Sequence, residues 1–251
     1  MTNKIPCYIT AFFMFDFFKQ TMQSLLKKSD KLDIKVVENY SKYTNQKFKP
    51  YIFDLISKGF ISEYFLFEKN ISSNAGREVA YNHIKHEDGF IIRTDGDLVL
   101  QDGWLEEQIK IMNNNKDVFA VGADLSLENL PKIEGADKWV PRAKKLLFKN
   151  YLLGPTGIWT VMFRAREFVE MARYFKDNGL VWVDAEMRNY AEKKNMKWAR
   201  TKKTKAYHLT WDLDVDPNHE YHEFRKKPFQ EKWLHNDTCG YVIYNKENVA
   251  I

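Results

Sequence analysis

The sequence predicts a single α/β domain whose central sheet is mostly parallel and flanked by helices. Two observations lead there. Short apolar runs alternate with amphipathic stretches through the first half of the chain, the rhythm of strand–helix–strand units that lay parallel strands side by side. The polar residues that stand out, Glu38-Asn39 and Asp95-Gly96-Asp97, each follow an apolar run, and open sheets of this kind bind ligands beyond the carboxyl ends of their strands.

Residues 7–11 read as the first strand, and 17–28 as a helix whose apolar positions are Phe17, Phe18, Met22, Leu25 and Leu26. A second strand at 34–38, a short helix at 50–58 and a third strand at 64–68 follow. Residues 77–86 read as a helix, 90–94 as a fourth strand and 104–112 as another helix. The second half is less regular. It offers a short strand at 119–121, then a loop-rich stretch at 127–150 with Pro131, Pro141 and a basic run from Arg142 to Lys149. Helices at 165–176 and 184–194 and short strands at 198–200 and 206–209 complete it. From Asp212 the chain is polar and aromatic with little periodicity. The expected division is one domain over 1–211 and an extension, 212–251, packing on it.

The chain has 251 residues, 44% of them apolar, enough for one large domain with a sizeable core. Cys7 and Cys239 form no C-x-x-C pair, so neither a zinc ribbon nor a redox motif is indicated, and two cysteines suit a reducing compartment. No apolar run reaches the roughly 20 residues a membrane span needs. Residues 5–15 contain Pro6 and Thr10 and run into Asp16, which fits a strand and turn and not a signal segment. A soluble, cytoplasmic protein is expected, with peripheral membrane contact through basic and aromatic segments allowed. The net charge of +5 suits a small anionic substrate such as a nucleotide diphosphate.

In Phe90-Ile91-Ile92-Arg93-Thr94-Asp95-Gly96-Asp97 an apolar strand ends in two carboxylates one residue apart. Alternate side chains of an extended strand point the same way, so two acids there repel unless a cation, a proton or a donor-rich loop offsets the charge. A hard divalent ion is one such offset. A strand-ending Asp-Gly turn is the structural alternative. An EF-hand is excluded, because Leu98-Val99-Leu100 stand where that loop needs oxygen ligands and a glycine.

Four segments in this order make residues 5–211 resemble the GT-A glycosyltransferases, in particular the family-2-like enzymes. They are 5–12 with Val36-Val37-Glu38-Asn39-Tyr40-Ser41, then Asn74-Ala75-Gly76-Arg77-Glu78-Val79-Ala80-Tyr81-Asn82, then Thr94-Asp95-Gly96-Asp97, then Trp182-Val183-Asp184-Ala185-Glu186-Met187-Arg188. The resemblance implies a GT-A fold with a nucleotide-binding half over about 1–100 and an acceptor-binding half over about 101–211. It implies a nucleoside-diphosphate sugar donor, UDP-sugar foremost, and a hydroxyl of a glycan or other acceptor as partner. Nucleic acid is not an expected partner. Glu38 stands where the family usually has an aspartate that contacts the donor's base or ribose. Donor-binding residues are expected to be Ala11, Glu38, Asn39, Arg77, Asp95 and Gly157. Asp95 and Asp97 would ligate Mn²⁺ or Mg²⁺, with His208 of Tyr207-His208-Leu209-Thr210-Trp211 completing the set. Asp184 matches the family's general base, although Val183 replaces the usual preceding acid and Tyr190 stands where the family has an arginine. An inverting single displacement follows from the resemblance. Trp159, after the glycines of 153–160, either stacks on a sugar or packs in the core.

Competing readings stay open at this stage. Lys202-Lys203-Thr204-Lys205 and Arg142-Ala143-Lys144-Lys145 are basic clusters near aromatics, the composition of a nucleic-acid surface. A nucleotidyltransferase also uses paired acids and Mg²⁺, but no Gly-rich nucleotide loop stands near the N-terminus. A catalytically inactive carbohydrate-binding relative would keep donor binding alone. His219-Glu220-Tyr221-His222-Glu223 is not the H-E-x-x-H of zinc proteases.

Overall fold

The computed structural model describes residues 4–85, 88–132, 134, 136, 140, 143–146, 149–154, 157, 159–215 and 238–249. The expected features at Pro141-Arg142, Pro155-Thr156, Ile158 and His219–Glu223 lie outside the described residues.

In chain order the elements are β1 (Ile5–Ala11), α1 (Phe15–Leu26), β2 (Leu32–Glu38), a π-helical turn (Thr44–Phe48), α2 (Lys49–Ser57), β3 (Ile61–Phe67) and α3 (Asn74–His83). Then come β4 (Phe90–Asp95), β5 (Leu98–Leu100), α4 (Trp104–Asn114), β6 (Val118–Leu125), β7 (Lys144–Lys145) and β8 (Leu152–Leu153). The last are β9 (Val161–Arg164), α5 (Ala165–Asp177), α6 (Asp184–Lys193), β10 (Lys197–His208), a 3-10 turn (Leu209–Val215) and β11 (Tyr241–Tyr244).

All the described strands join one sheet in the order β11-β3-β2-β1-β4-β9-β6-β10-β8-β7, with β5 pairing β10. The first four strands run parallel, as their helical crossovers require. Beyond β4 the sheet is mixed: β9 is antiparallel to both β4 and β6, while β10 is parallel to β6. The mostly parallel sheet read from the sequence therefore holds for the first half alone. Among the described residues, β9 is reached from β6 through loops and two short strands without an α-helix, and such a connection permits an antiparallel neighbour.

The pleat sorts side chains to two faces. Cys7, Ile9 and Ala11 of β1 pack with Phe18, Met22 and Leu25 of α1 and Trp104 of α4 on one face. On the other, Ile91 joins Phe163, Phe168, Phe175 and Trp182. Ile91 and Ile92 of β4 go to opposite faces, so Arg93 and Asp95 follow Ile91 toward the side of α3 and α5.

β10 is one twelve-residue strand where the sequence suggested two. Its register against β6 shifts between Arg200 and Lys205. Glu107 of α4 builds the irregularity: its carboxylate accepts from the backbone N–H of Lys202 (2.9 Å), Lys203 (3.0 Å) and Thr204 (2.8 Å), and from the Thr204 hydroxyl at 2.8 Å. β11, from the expected extension, pairs antiparallel with β3 and covers an edge that would otherwise expose unpaired backbone groups. Cys7 and Cys239 are free thiols. Among the described residues no helix is long and apolar enough to cross a membrane.

Candidate active site

The site lies where the parallel strands end. β1 and β4 are neighbours, with Thr10 opposite Asp95, and on the other side of β1 Ala11 is opposite Glu38. The chain must cross the end of β1 immediately after Asp95. A Cβ on Gly96 would come within 2.5 Å of the Thr10 carbonyl oxygen, so a glycine between the two acids is a steric requirement of this crossing.

Asp97 follows, with Oδ1 buried and lacking a hydrogen-bond partner among the described residues. His208 reaches it from far along the chain. β10 pairs antiparallel with β5, setting His208 opposite Leu98, and the Leu209 N–H donates to the Asp97 carbonyl at 2.8 Å. The imidazole Nδ1 lies 3.7 Å from Asp97 Oδ2 and 2.8 Å from Thr210 Oγ1. The ring stacks on Trp211 at 5.1 Å and meets Trp159 edge-on at 6.3 Å. Gly157 supports that wall, because a Cβ on it would fall 2.5 Å from the Trp159 ring.

Asp184 opens α6 and is exposed. Its carboxylate, with that of Asp97, adds to the burial that raises the Asp95 pKa, and Arg93 opposes the rise. Arg93 Nη2 lies 3.4 Å from Asp95 Oδ1. Two separated segments thus bring Asp97 and His208 together next to Asp95, with the charge of Asp184 near enough to act on Asp95. A buried carboxylate oxygen without a donor and an imidazole beside it are groups of the kind that divalent cations take as ligands. Among the described residues no three such groups converge on one point as ligands.

Four of the residues expected at the donor are engaged within the protein. Ala11 is buried and its carbonyl accepts the Asn39 N–H at 3.1 Å. The Asn39 side chain donates to the Ser72 carbonyl at 3.0 Å and accepts from the Ile71 N–H at 3.0 Å, tying the end of β2 to the loop before α3. Glu38 is 0% exposed and accepts hydroxyl donors from Thr44 and Tyr64. Burial pushes its pKa up to about 7, and those two donors pull the other way.

Arg77, the fourth, is engaged most extensively. It sits on the face of α3 that packs against α5 and is 0% exposed. Nη1 donates to the Leu180 carbonyl at 2.8 Å and Nη2 to Glu78 at 2.9 Å, and Glu78 also pairs with Lys176 of α5 at 2.7 Å. The guanidinium braces the loop that leads into Asp184. Asn74 braces the same loop, accepting the Trp182 N–H at 3.2 Å.

Residues absent from the sequence reading also line the strand ends. Phe13 has φ +58°, a conformation that costs a bulky residue of order 1–3 kcal/mol and clusters at functional loops. Its ring lies 5.3 Å from Tyr43. Arg93 is buried beneath Asp95, and its sequence signal was a charge directly after the apolar run 90–92 within the expected strand.

The chain is similar to known proteins at two levels. The model of Glycosyl transferase family 2 matches residues 5–171. Proteins L137 and L138 of Acanthamoeba polyphaga mimivirus are 35% and 36% identical to it over 98% of this chain, which covers 35% and 29% of their lengths. Protein L142 of the same virus is 33% identical over 96% of this chain, which covers 51% of it. The chain therefore spans at most about half the length of these relatives. Among solved structures, its fold resembles a Pyrobaculum calidifontis mannosyltransferase in complex with GDP-Man and Mn²⁺, with TM-score 0.60, 12% identity, and coverage of 89% of this chain and 61% of that one. It also resembles S. aureus TarS 1-349 in complex with UDP-GlcNAc, with TM-score 0.53, 13% identity, and coverage of 82% and 58%. The fold is that of a GT-A glycosyltransferase domain. With two thirds of its length matched by the family model, the chain belongs to glycosyl transferase family 2.

Proposed function

We propose that this domain moves a sugar from a nucleoside-diphosphate sugar, a UDP-sugar first among the candidates, to a hydroxyl of a glycan or other acceptor, with inversion at the anomeric carbon. One observation supports the reading: Asp97 and His208 meet beyond the ends of parallel strands in a family-2 domain, next to Asp95 and within electrostatic reach of Asp184. That the two structural neighbours hold GDP-Man with Mn²⁺ and UDP-GlcNAc supports a donor of this class.

Asp97 and His208, with Asp95 beside them, would hold Mn²⁺ or Mg²⁺, which when bound offsets negative charge on the departing diphosphate. The remaining work belongs to the protein. Asp184 takes the proton of the acceptor hydroxyl as its oxygen bonds to the anomeric carbon and the bond from that carbon to the diphosphate oxygen breaks. Its place at the start of α6 sets the carboxylate at the edge of the site. Its exposure leaves room for the acceptor to approach.

The nucleic-acid reading loses ground at the turn 202–204, where Glu107 takes the backbone N–H groups that a phosphate would use. Asp97→Ala is expected to abolish cation-dependent donor binding, read as the donor-induced shift in melting temperature. Asp184→Asn should keep that shift and lose transfer by about 10²–10⁴-fold, the usual worth of a general base. Undiminished transfer in Asp184→Asn would remove the residue from its role.

A further inference from the structure

Arg93 takes no part in the chemistry above, yet its surroundings are specific. It follows Phe90, Ile91 and Ile92 on β4 and is 5% exposed. A buried guanidinium is costly unless its donors are met. Its Nη2 faces Asp95, but Nε and Nη1 have no hydrogen-bond partner among the described residues. Trp182, 0% exposed, likewise leaves its indole N–H without a partner.

The unpaired donors converge. A Cβ on Gly76 would lie 3.4 Å from Arg93 Nε and 3.6 Å from Trp182 Nε1. The space this glycine leaves is bordered by two donor nitrogens, one from β4 and one from the loop before α6. It adjoins a small cavity lined by Tyr8, Thr10, Gly76, Arg93 and Phe168, among others, with room for a single water-sized group. That admits one heavy atom of about oxygen's size. Thr10 stands opposite Asp95, so the cavity lies beside the acid cluster at the strand ends.

We propose that Arg93, Trp182 and Gly76 form a subsite for one acceptor oxygen of the nucleotide sugar, a contact that rests on the donor reading above. Groups that only donate select a carbonyl, phosphate or hydroxyl oxygen and reject an N–H. The absent Cβ of Gly76 is what lets that oxygen approach both donors.

Calorimetric titration of the whole chain with UDP, GDP, UDP-GlcNAc and GDP-mannose in the presence of Mn²⁺ tests this, on wild type, Asp97→Ala, Arg93→Met, Trp182→Phe and Gly76→Ala. Gly76→Ala is the most informative variant. Its Cβ is accommodated at van der Waals distance, and alanine is the better residue within a helix, so lost binding there is not lost folding. Arg93→Met and Gly76→Ala are each expected to weaken donor binding by about tenfold to a hundredfold, with Trp182→Phe showing a smaller loss. A loss already present with UDP or GDP assigns the oxygen to the nucleotide; a loss confined to the nucleotide sugars assigns it to the sugar. If Asp97→Ala loses binding while Arg93→Met and Gly76→Ala bind as wild type, the subsite is refuted and the donor reading stands. If wild type binds none of the four, the donor reading fails and the subsite with it.

Discussion

At the scale of single residues, burial decides which polar groups are available for chemistry. Glu38 and Asp95 both end parallel strands, yet Glu38 is enclosed by Thr44 and Tyr64 while Asp95 is flanked by other acids. Folded Glu38 keeps its proton to about pH 7, against an ordinary value of 4.5. Below the ordinary value both states are protonated and stability is unaffected. As pH rises through the window the unfolded chain releases the proton first, so stability falls by about 3 kcal/mol in all and then levels off. Glu38→Gln should therefore flatten the pH dependence of the melting temperature between pH 4.5 and 7 and raise it at pH 8. A lower melting temperature than wild type at pH 8 would mean that the carboxylate is ionised and stabilised by its two hydroxyl donors. The sequence marked Glu38 as a polar strand end but held no sign of Tyr64 and Thr44 closing over it. Arg77 escaped for a similar reason: an arginine in an amphipathic helix does not disclose which carbonyl lies across from it. Arg93 was legible in principle, since a charge directly after an apolar run within a strand demands a partner.

Between elements, side chains fix the segments that carry the site. Arg77 joins α3 to the loop before α6 through Leu180 and shares Glu78 with Lys176 of α5. Replacing it with methionine leaves a buried carboxylate short of a partner and should cost roughly 3 kcal/mol of stability. Because the loop leads to Asp184, kcat should also fall in Arg77→Met while the KM for donor stays near wild type; an unchanged kcat per folded molecule would make the residue a purely structural brace. Glu107 does the corresponding work for β10. Glu107→Ala removes the acceptor for three backbone N–H groups and a hydroxyl, so a stability loss of about 2 kcal/mol, or several degrees in melting temperature, is expected. The alternation of strands and helices was readable through residue 112, because parallel strands joined by helices carry strong, separate periodicities. β10 was read as two strands because its polar centre, Thr201 to Lys205, interrupts the apolar signal. β11 was not read at all, since an edge strand buries little.

Across the whole molecule, the proposed site depends on contacts that span most of the chain. Asp97 meets His208 through the pairing of β5 with β10. The D-x-D segment and the late histidine were visible in the sequence, but their meeting depends on a three-residue strand too short to announce itself. The sheet's far edge is likewise completed from the C-terminal residues, where Tyr244 stacks on Tyr64 at 5.6 Å. The curated relatives extend well beyond this domain, and the same α/β core is the part this chain shares with the glycosyltransferases of known structure. The most direct test is release of nucleoside diphosphate from a panel of UDP-, GDP- and TDP-sugars, measured with Mn²⁺ and again with chelator. Cation-dependent release from one donor, lost in Asp97→Ala, is the expected result; no release and no donor-induced thermal shift from any member of the panel, with acceptor hydroxyls supplied, would contradict donor-dependent sugar transfer by this domain.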